Sequence, residues 1–337
     1  MQVLTRAVKS QRSPNVDALA DALRARYGQR LRRDEPLEAH TTLRVGGPAD
    51  LWLTVVSLDE LIEATAVAHQ HQVTTFLLGS GANLLISDRG VRGLVVENRC
   101  QKVALPLQGA MGEVSDPPHV TVESGVILPS LAHRLARQGL SGLEWTVGVP
   151  GTIGGAVVNN AGAHGFSMAD CLVRAELYSQ RHDRREWKPV TWFEYGYRSS
   201  RLKRPETARS GADRERFIIL QAELVLSRRS PAEIENQMAA FNQRRKATQP
   251  SGASIGSMFK NPPADYAGRL IEAAGLKGKR VGGAQISPIH ANFFVNRGTA
   301  KATDFAALIE LTRQTVKTKF NVELELEIQK TGDWENE

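Results

Sequence analysis

The chain has 337 residues, of which 41% are hydrophobic and 23% charged, so it is long enough for more than one domain and too apolar to be disordered. No run of about 18 apolar residues occurs and the N-terminus has no apolar signal core, so neither a membrane span nor secretion is expected. The net charge of +7 favours anionic partners, but the 43 Lys and Arg are dispersed and no base-stacking or groove-reading motif appears, which points to phosphorylated small molecules and away from nucleic acid.

The chain opens with a polar approach and a leading helix, ALADALRARYG, ending near residue 33. Residues 41–56 read as short strands around a glycine turn at Gly46–Gly47. Ser57 with Glu60 has the pattern of a capping box, ahead of Leu58, Leu61, Ile62 and Ala66 at helical spacing. A strand over 75–78 then runs into GSGANLL, residues 79–85, where Ser80 and Asn83 add side-chain donors to exposed backbone amides. A strand over 94–97 follows. No G-x-G-x-x-G is present, so a Rossmann unit is not expected. Cys100 and Cys171 stand far apart and outside metal-type spacing, which suits a reducing cytoplasm, and neither reads as catalytic.

Beyond a loop over 108–118 come a strand over 119–123 and a helix over 129–138, stopped by Gly139. Residues 147–165, VGVPGTIGGAVVNNAGAHG, form the richest glycine stretch. With so few Cβ atoms a ligand can approach the backbone closely, and Val147, Val149, Ile153, Val157 and Val158 argue for a buried, packed loop over a solvated linker. Two such turns suggest two halves of one cofactor cleft. Strands over 171–178 and 217–225 flank a polar segment, 201–216, that reads as a surface loop. A helix over 231–246 ends in Arg244, Arg245 and Lys246, which complement its dipole.

The C-terminal part contains PSGASIGSMFKNP (250–262), a helix over 266–274, a strand-like 291–296 and a helix over 303–320 that buries Phe305, Leu308, Ile309 and Val316. Residues 322–328, VELELEI, alternate strictly, so Glu323, Glu325 and Glu327 share one face of a predicted strand.

Taken together, HTTLRVGGPAD, LLGSGANLLISDRG, GLEWTVGVPGTIGGAVVNNAGAHG, YRSS, GSMFKNP, AGRLIEAAGLKG, GGAQISPIHANFFVN and VELELEI resemble, in order, the UDP-N-acetylenolpyruvoylglucosamine reductase family, from about residue 40 to 332. The resemblance implies an α+β, three-domain flavoprotein: an N-terminal extension (1–34), a two-part FAD-binding unit of vanillyl-alcohol-oxidase type (35–98 and 99–228) and a C-terminal α/β substrate domain (229–337). It also implies a bacterial cytoplasmic enzyme, monomeric and without metal, membrane or nucleic-acid partner. That enzyme reduces UDP-N-acetylglucosamine enolpyruvate to UDP-N-acetylmuramate with NADPH as reductant.

Matched motif by motif, the resemblance assigns FAD contacts to Arg44, Gly79, Ser80, Gly81, Ala82, Asn83, Leu84, Val149, Pro150, Gly151, Ile153, Gly154, Gly155 and Asn159. It assigns Arg198 to the substrate carboxylate, Ser257 to proton donation and Glu327 to the developing enolate; among the three glutamates of VELELEI, only the resemblance selects Glu327. Lys260, Asn261 and Arg245 are candidates for the UDP phosphates, and Lys260 is also a source of positive potential beside Ser257. This chain departs from the family pattern at Ala82 and His164, where the family has serine and tyrosine. It is similar to the subgroup without the long tyrosine-bearing lid loop, since the polar 201–216 segment follows YRSS closely.

Overall fold

The structure, a computed structural model, describes residues 13–105, 117–204 and 216–335. The polar approach, most of the 108–118 loop and most of the 201–216 segment lie outside the described residues.

The helix Pro14–Tyr27 begins on a Ser13 cap with Pro14 in its first turn, where a missing N–H costs nothing. Its Val16, Leu19, Ala20, Leu23 and Tyr27 fall on one face and are buried. That face packs with Leu51, Leu53 and Val96 of a four-stranded sheet ordered Leu31–Pro36, Pro48–Val55, Val91–Asn98, Thr75–Leu78. The first pair is antiparallel and the other two are parallel. Leu31–Pro36 spans the expected boundary at 34, so the leading helix and strand are part of the first lobe's core rather than an extension to it. Helix Leu58–Gln70 makes the crossover between two strands of this sheet, and the Ser57 hydroxyl accepts from Glu60 N as expected. The return half of the capping box is absent: Glu60 accepts from Val56 N and pairs with Arg30.

The second lobe is a five-stranded antiparallel sheet ordered Arg184–Pro189, Leu172–Ser179, Phe217–Val225, His119–Glu123, Val103–Ala104. Leu177, Ala222, Leu224 and Val122 share a buried cluster with helix Leu128–Ala136 and with Ile153, Ala156 and Val157. Tyr178, Ile218 and Leu220 turn the other way, into the first lobe's core, so the two lobes share buried apolar surface. Helix Pro231–Thr248 buries Ile234 and Met238 against the second lobe. The expected third domain from 229 therefore begins with a helix that packs on its neighbour.

The third lobe is a four-stranded antiparallel sheet ordered Ser254–Ser257, Phe293–Asn296, Ala284–Ile286, Arg280–Val281. It is covered by helices Ala267–Ala273 and Ala302–Phe320. Residues 322–328 are not the predicted regular strand. They run extended beside 258–260, with Glu327 N donating to Met258 O and Lys260 N to Glu325 O, and one bridge at Leu326. Side-chain alternation survives without the ladder: Leu324 and Ile328 are buried, Glu323 and Glu325 exposed. The chain then returns to the first lobe, where Gln329–Thr331 pairs in parallel with Leu84–Ile86. Among the described residues no helix is long and apolar enough to cross a membrane.

Candidate active site

The three lobes enclose a cleft of about 990 Å³. One wall is the turn after strand Thr75–Leu78, and the opposite wall is the 149–159 stretch. Gly81 sits at φ +63°, and a Cβ there would lie 2.1 Å from the His40 carbonyl oxygen, so only glycine fits. A Cβ on Gly79 would stand 2.6 Å from Thr152 Oγ1, which shows how closely the two walls approach.

The second wall is not the loop that its glycines suggest. Ile153–Asn159 is a short α-helix, capped at Thr152, whose hydroxyl accepts from Gly155 N, and closed by Asn160 in the left-handed region. Each interior glycine disfavours helix by about 1 kcal/mol relative to alanine, but burial of Ile153, Ala156 and Val157 compensates. Gly154 stays small because a Cβ would come within 3.0 Å of Ser124.

Of the residues expected to hold the cofactor, Gly79, Ser80, Gly81, Ala82, Asn83, Leu84, Val149, Pro150, Gly151, Gly154, Gly155 and Asn159 line the cleft. Two do not. Ile153 points into the core because it supplies the helix's apolar face, and Arg44 is exposed outside the cleft. Ser80 Oγ is buried and has no hydrogen-bond partner among the described residues. An orphaned hydroxyl beside a turn that admits no Cβ is the donor set that a cofactor diphosphate would satisfy, so the residues fit FAD.

The chemistry-bearing side chains enter from three distant segments. Arg198 occupies the tip of a tight turn closed by mutual hydrogen bonds between Gly196 and Ser199, and its φ of +51° is unusual for a branched-off long side chain. The turn is latched to the second wall: Tyr195 Oη donates to Val157 O (2.7 Å), Ser200 Oγ to Val158 O (2.5 Å) and Asn160 Nδ2 to Gly196 O (3.0 Å). The Arg198 guanidinium donates through Nη2 to Gly162 O at 2.5 Å. Its Nε lies 2.7 Å from Glu327 Oε1, an ion-pair distance, although the Nε–H is not aligned on that oxygen as a hydrogen bond.

Glu327 is carried by the extended segment that leads into Gln329–Thr331, and its backbone carbonyl accepts from Asn83 Nδ2 of the cofactor turn. Burial raises its pKa above the ordinary carboxylate value, against the opposing pull of Arg198, Lys203 and Lys260. Ser257 closes strand Ser254–Ser257 behind Gly256, at φ +81°, and faces the same cleft. Arg198, Ser257 and Glu327 thus share one cavity.

Arg245 and Asn261 also line the cleft, and burial pulls the Arg245 guanidinium below its usual pKa. Lys260 does not line it: its ammonium pairs with Glu325, on the outward face of the alternating segment. Its positive charge nonetheless acts on Glu327 and Lys203 inside the cleft. Sequence reasoning missed Thr152 and Lys203, both of which line the cleft. Thr152 was readable as a helix cap ahead of Ile153, whereas Lys203 lies in a polar run that carries no signal. Cys100 and Cys171 are buried free thiols with pKa pushed up to about 12 by burial, which makes them inert.

Comparison with known proteins agrees with this architecture. The profile for the FAD binding domain matches residues 49–181, and that for the UDP-N-acetylenolpyruvoylglucosamine reductase C-terminal domain matches residues 248–331. The UDP-N-acetylenolpyruvoylglucosamine reductase of Chloroflexus aggregans is 46% identical over 88% of this chain and 96% of its own length. The Bacillus subtilis protein of that name is 36% identical over 94% and 99%. The crystal structure of the reductase from Thermus caldophilus superposes with a TM-score of 0.71 at 36% identity, covering 89% of this chain and 97% of that one. On this similarity, and on a cleft built for a flavin, the chain belongs to the UDP-N-acetylenolpyruvoylglucosamine reductase family, FAD-dependent oxidoreductases of peptidoglycan-precursor synthesis.

Proposed function

We propose that this protein reduces the enolpyruvyl ether of UDP-N-acetylglucosamine to UDP-N-acetylmuramate in the bacterial cytoplasm, as a monomer, with NADPH as the electron source. The observation that carries the reading is the meeting of Arg198, Ser257 and Glu327 in one cleft walled by two small-residue segments. FAD, held between the two walls by the Gly79–Leu84 turn and the 149–159 stretch, would supply the hydride chemistry that this reduction requires. The glycine turn and the orphaned Ser80 hydroxyl hold its diphosphate.

Hydride arrival leaves negative charge on the adjacent carbon and its carboxylate. The Arg198 guanidinium offers a fixed fork to those oxygens, and its anchors on Gly162 O and Glu327 hold the fork in place before charge develops. Glu327, with its raised pKa, acts in the protonated form as a hydrogen-bond donor to the enolate. Ser257 gives its hydroxyl proton to the enolate carbon and regains one from solvent. Arg245 and Asn261 take the UDP phosphates.

The test is a visible spectrum of the purified protein. Its flavin bands bleach with NADPH under anaerobic conditions and return on adding the enolpyruvyl UDP-sugar but not UDP-N-acetylglucosamine. A colourless protein that does not take up FAD, or a reduced flavin that the enolpyruvyl compound fails to reoxidise, refutes the reading.

A further inference from the structure

We propose that Lys203 is a second cation for the substrate carboxylate, working beside Arg198. This inference rests on the function proposed above and adds a residue to it. Lys203 lines the cleft from the short turn Arg201–Lys203 that follows the Arg198 tip. Among the described residues its ammonium makes one hydrogen bond, a long one of 3.4 Å to the Arg198 carbonyl oxygen. An ammonium has three donors, so most of its capacity is unused among the described residues.

The surrounding charges are already spoken for. Glu327 stands against Arg198, and Glu325 is held by Lys260. Lys203 feels both carboxylates electrostatically but reaches neither as an ion pair among the described residues. Burial, followed by the like charge of Lys260, pulls its pKa below the ordinary lysine value. A half-buried cation without a carboxylate of its own is unfavourable until an anion arrives. The substrate carboxylate proposed above for Arg198 is such an anion. Lys203 also fixes the carbonyl of Arg198, whose left-handed backbone needs support.

The experiment compares two ligands by calorimetric titration of the oxidised holoenzyme: the enolpyruvyl UDP-sugar and UDP-N-acetylglucosamine, which lacks the carboxylate. Wild type is expected to prefer the former. Lys203→Met should lose about tenfold or more of that preference, the range of a charge-assisted hydrogen bond, while its affinity for UDP-N-acetylglucosamine is retained. Lys203→Arg should keep most of the preference. Lys203→Gln, which can still donate to the Arg198 carbonyl, should lose it like Met; flavin content and melting temperature report folding for each variant. If Gln or Met keeps the full preference, or both ligands weaken alike, Lys203 is a structural clasp and the inference is overturned. A wild-type protein without any preference overturns the proposed function itself, and this inference with it.

Discussion

Replacing Glu327 by Gln and by Ala separates the two tasks given to one carboxyl group. Its Oε1 lies 2.7 Å from Arg198 Nε, and among the described residues its other oxygen makes no hydrogen bond. A hydrogen bond to a charged partner contributes roughly 1.5–3 kcal/mol, and each 1.36 kcal/mol is about tenfold in rate. Ala removes the anchor on Arg198 and the donor to the enolate, so turnover should fall by roughly 10²–10⁴-fold. Gln keeps an oxygen for Arg198 and an N–H for the enolate and should lose only about tenfold.

The pH dependence follows from the raised pKa of Glu327. If the protonated form acts, wild-type turnover is full below that pKa and falls as pH rises through it. The amide of Gln has no proton to lose in this range, so that descending limb should vanish. The assay is steady-state NADPH oxidation with saturating enolpyruvyl UDP-sugar, across pH. Equal losses for Gln and Ala, or a descending limb that survives in Gln, would refute a donor role.

Three further outcomes are expected. Ser257→Ala should cost about 10²–10⁴-fold in turnover while NADPH still bleaches the flavin at the wild-type rate, measured by stopped-flow; slowed bleaching would point to a structural defect instead. Gly81→Ala adds a left-handed penalty of about 1–2 kcal/mol to an overlap at 2.1 Å with the His40 carbonyl; the purified protein should carry much less flavin, read from its absorbance ratio. The buried thiols of Cys100 and Cys171 have pKa raised from 9.0 to about 12, so the stability they contribute is intact below pH 9 and is lost as pH rises toward 12. Urea midpoints measured from pH 8 to 11 should decline, and Cys171→Ser, which cannot ionise there, should decline less steeply.

Much of this was visible in the residues because local geometry dictates it. Gly79 and Gly81 announce a wall without Cβ atoms, and the structure needs that bareness. The 149–159 wall was readable as packed and close to a ligand, but its helix was not, because the glycines hide a propensity that Thr152 and three buried side chains restore. Alternation placed Glu323, Glu325 and Glu327 on one side and could go no further. What distinguishes Glu327 is that the strand just after it, Gln329–Thr331, pairs with the distant Leu84–Ile86 beside the cleft. Lys260 illustrates the converse: its closeness to Ser257 in sequence promised a contact in the cleft, but its ammonium pairs with Glu325 and reaches the cleft residues Glu327 and Lys203 through its charge alone. Lys203 was invisible because a polar run gives no periodicity to read, and only the fold shows that it lines the cleft. The helix Pro231–Thr248 offered just two buried anchors, Ile234 and Met238, too few to reveal which lobe it covers.

The junction between Asn83 and the segment carrying Glu327 joins residues 244 apart. A ribosome releases the N-terminal residues first, and local helices and hairpins can form as they emerge. The glycine turn must nonetheless wait, since the strand Gln329–Thr331 that lies alongside it is made long after it. Loop closure over such a span is slow compared with local contacts. A nascent chain therefore has no finished flavin pocket, and the same late step that completes the pocket also delivers Glu327 to Arg198.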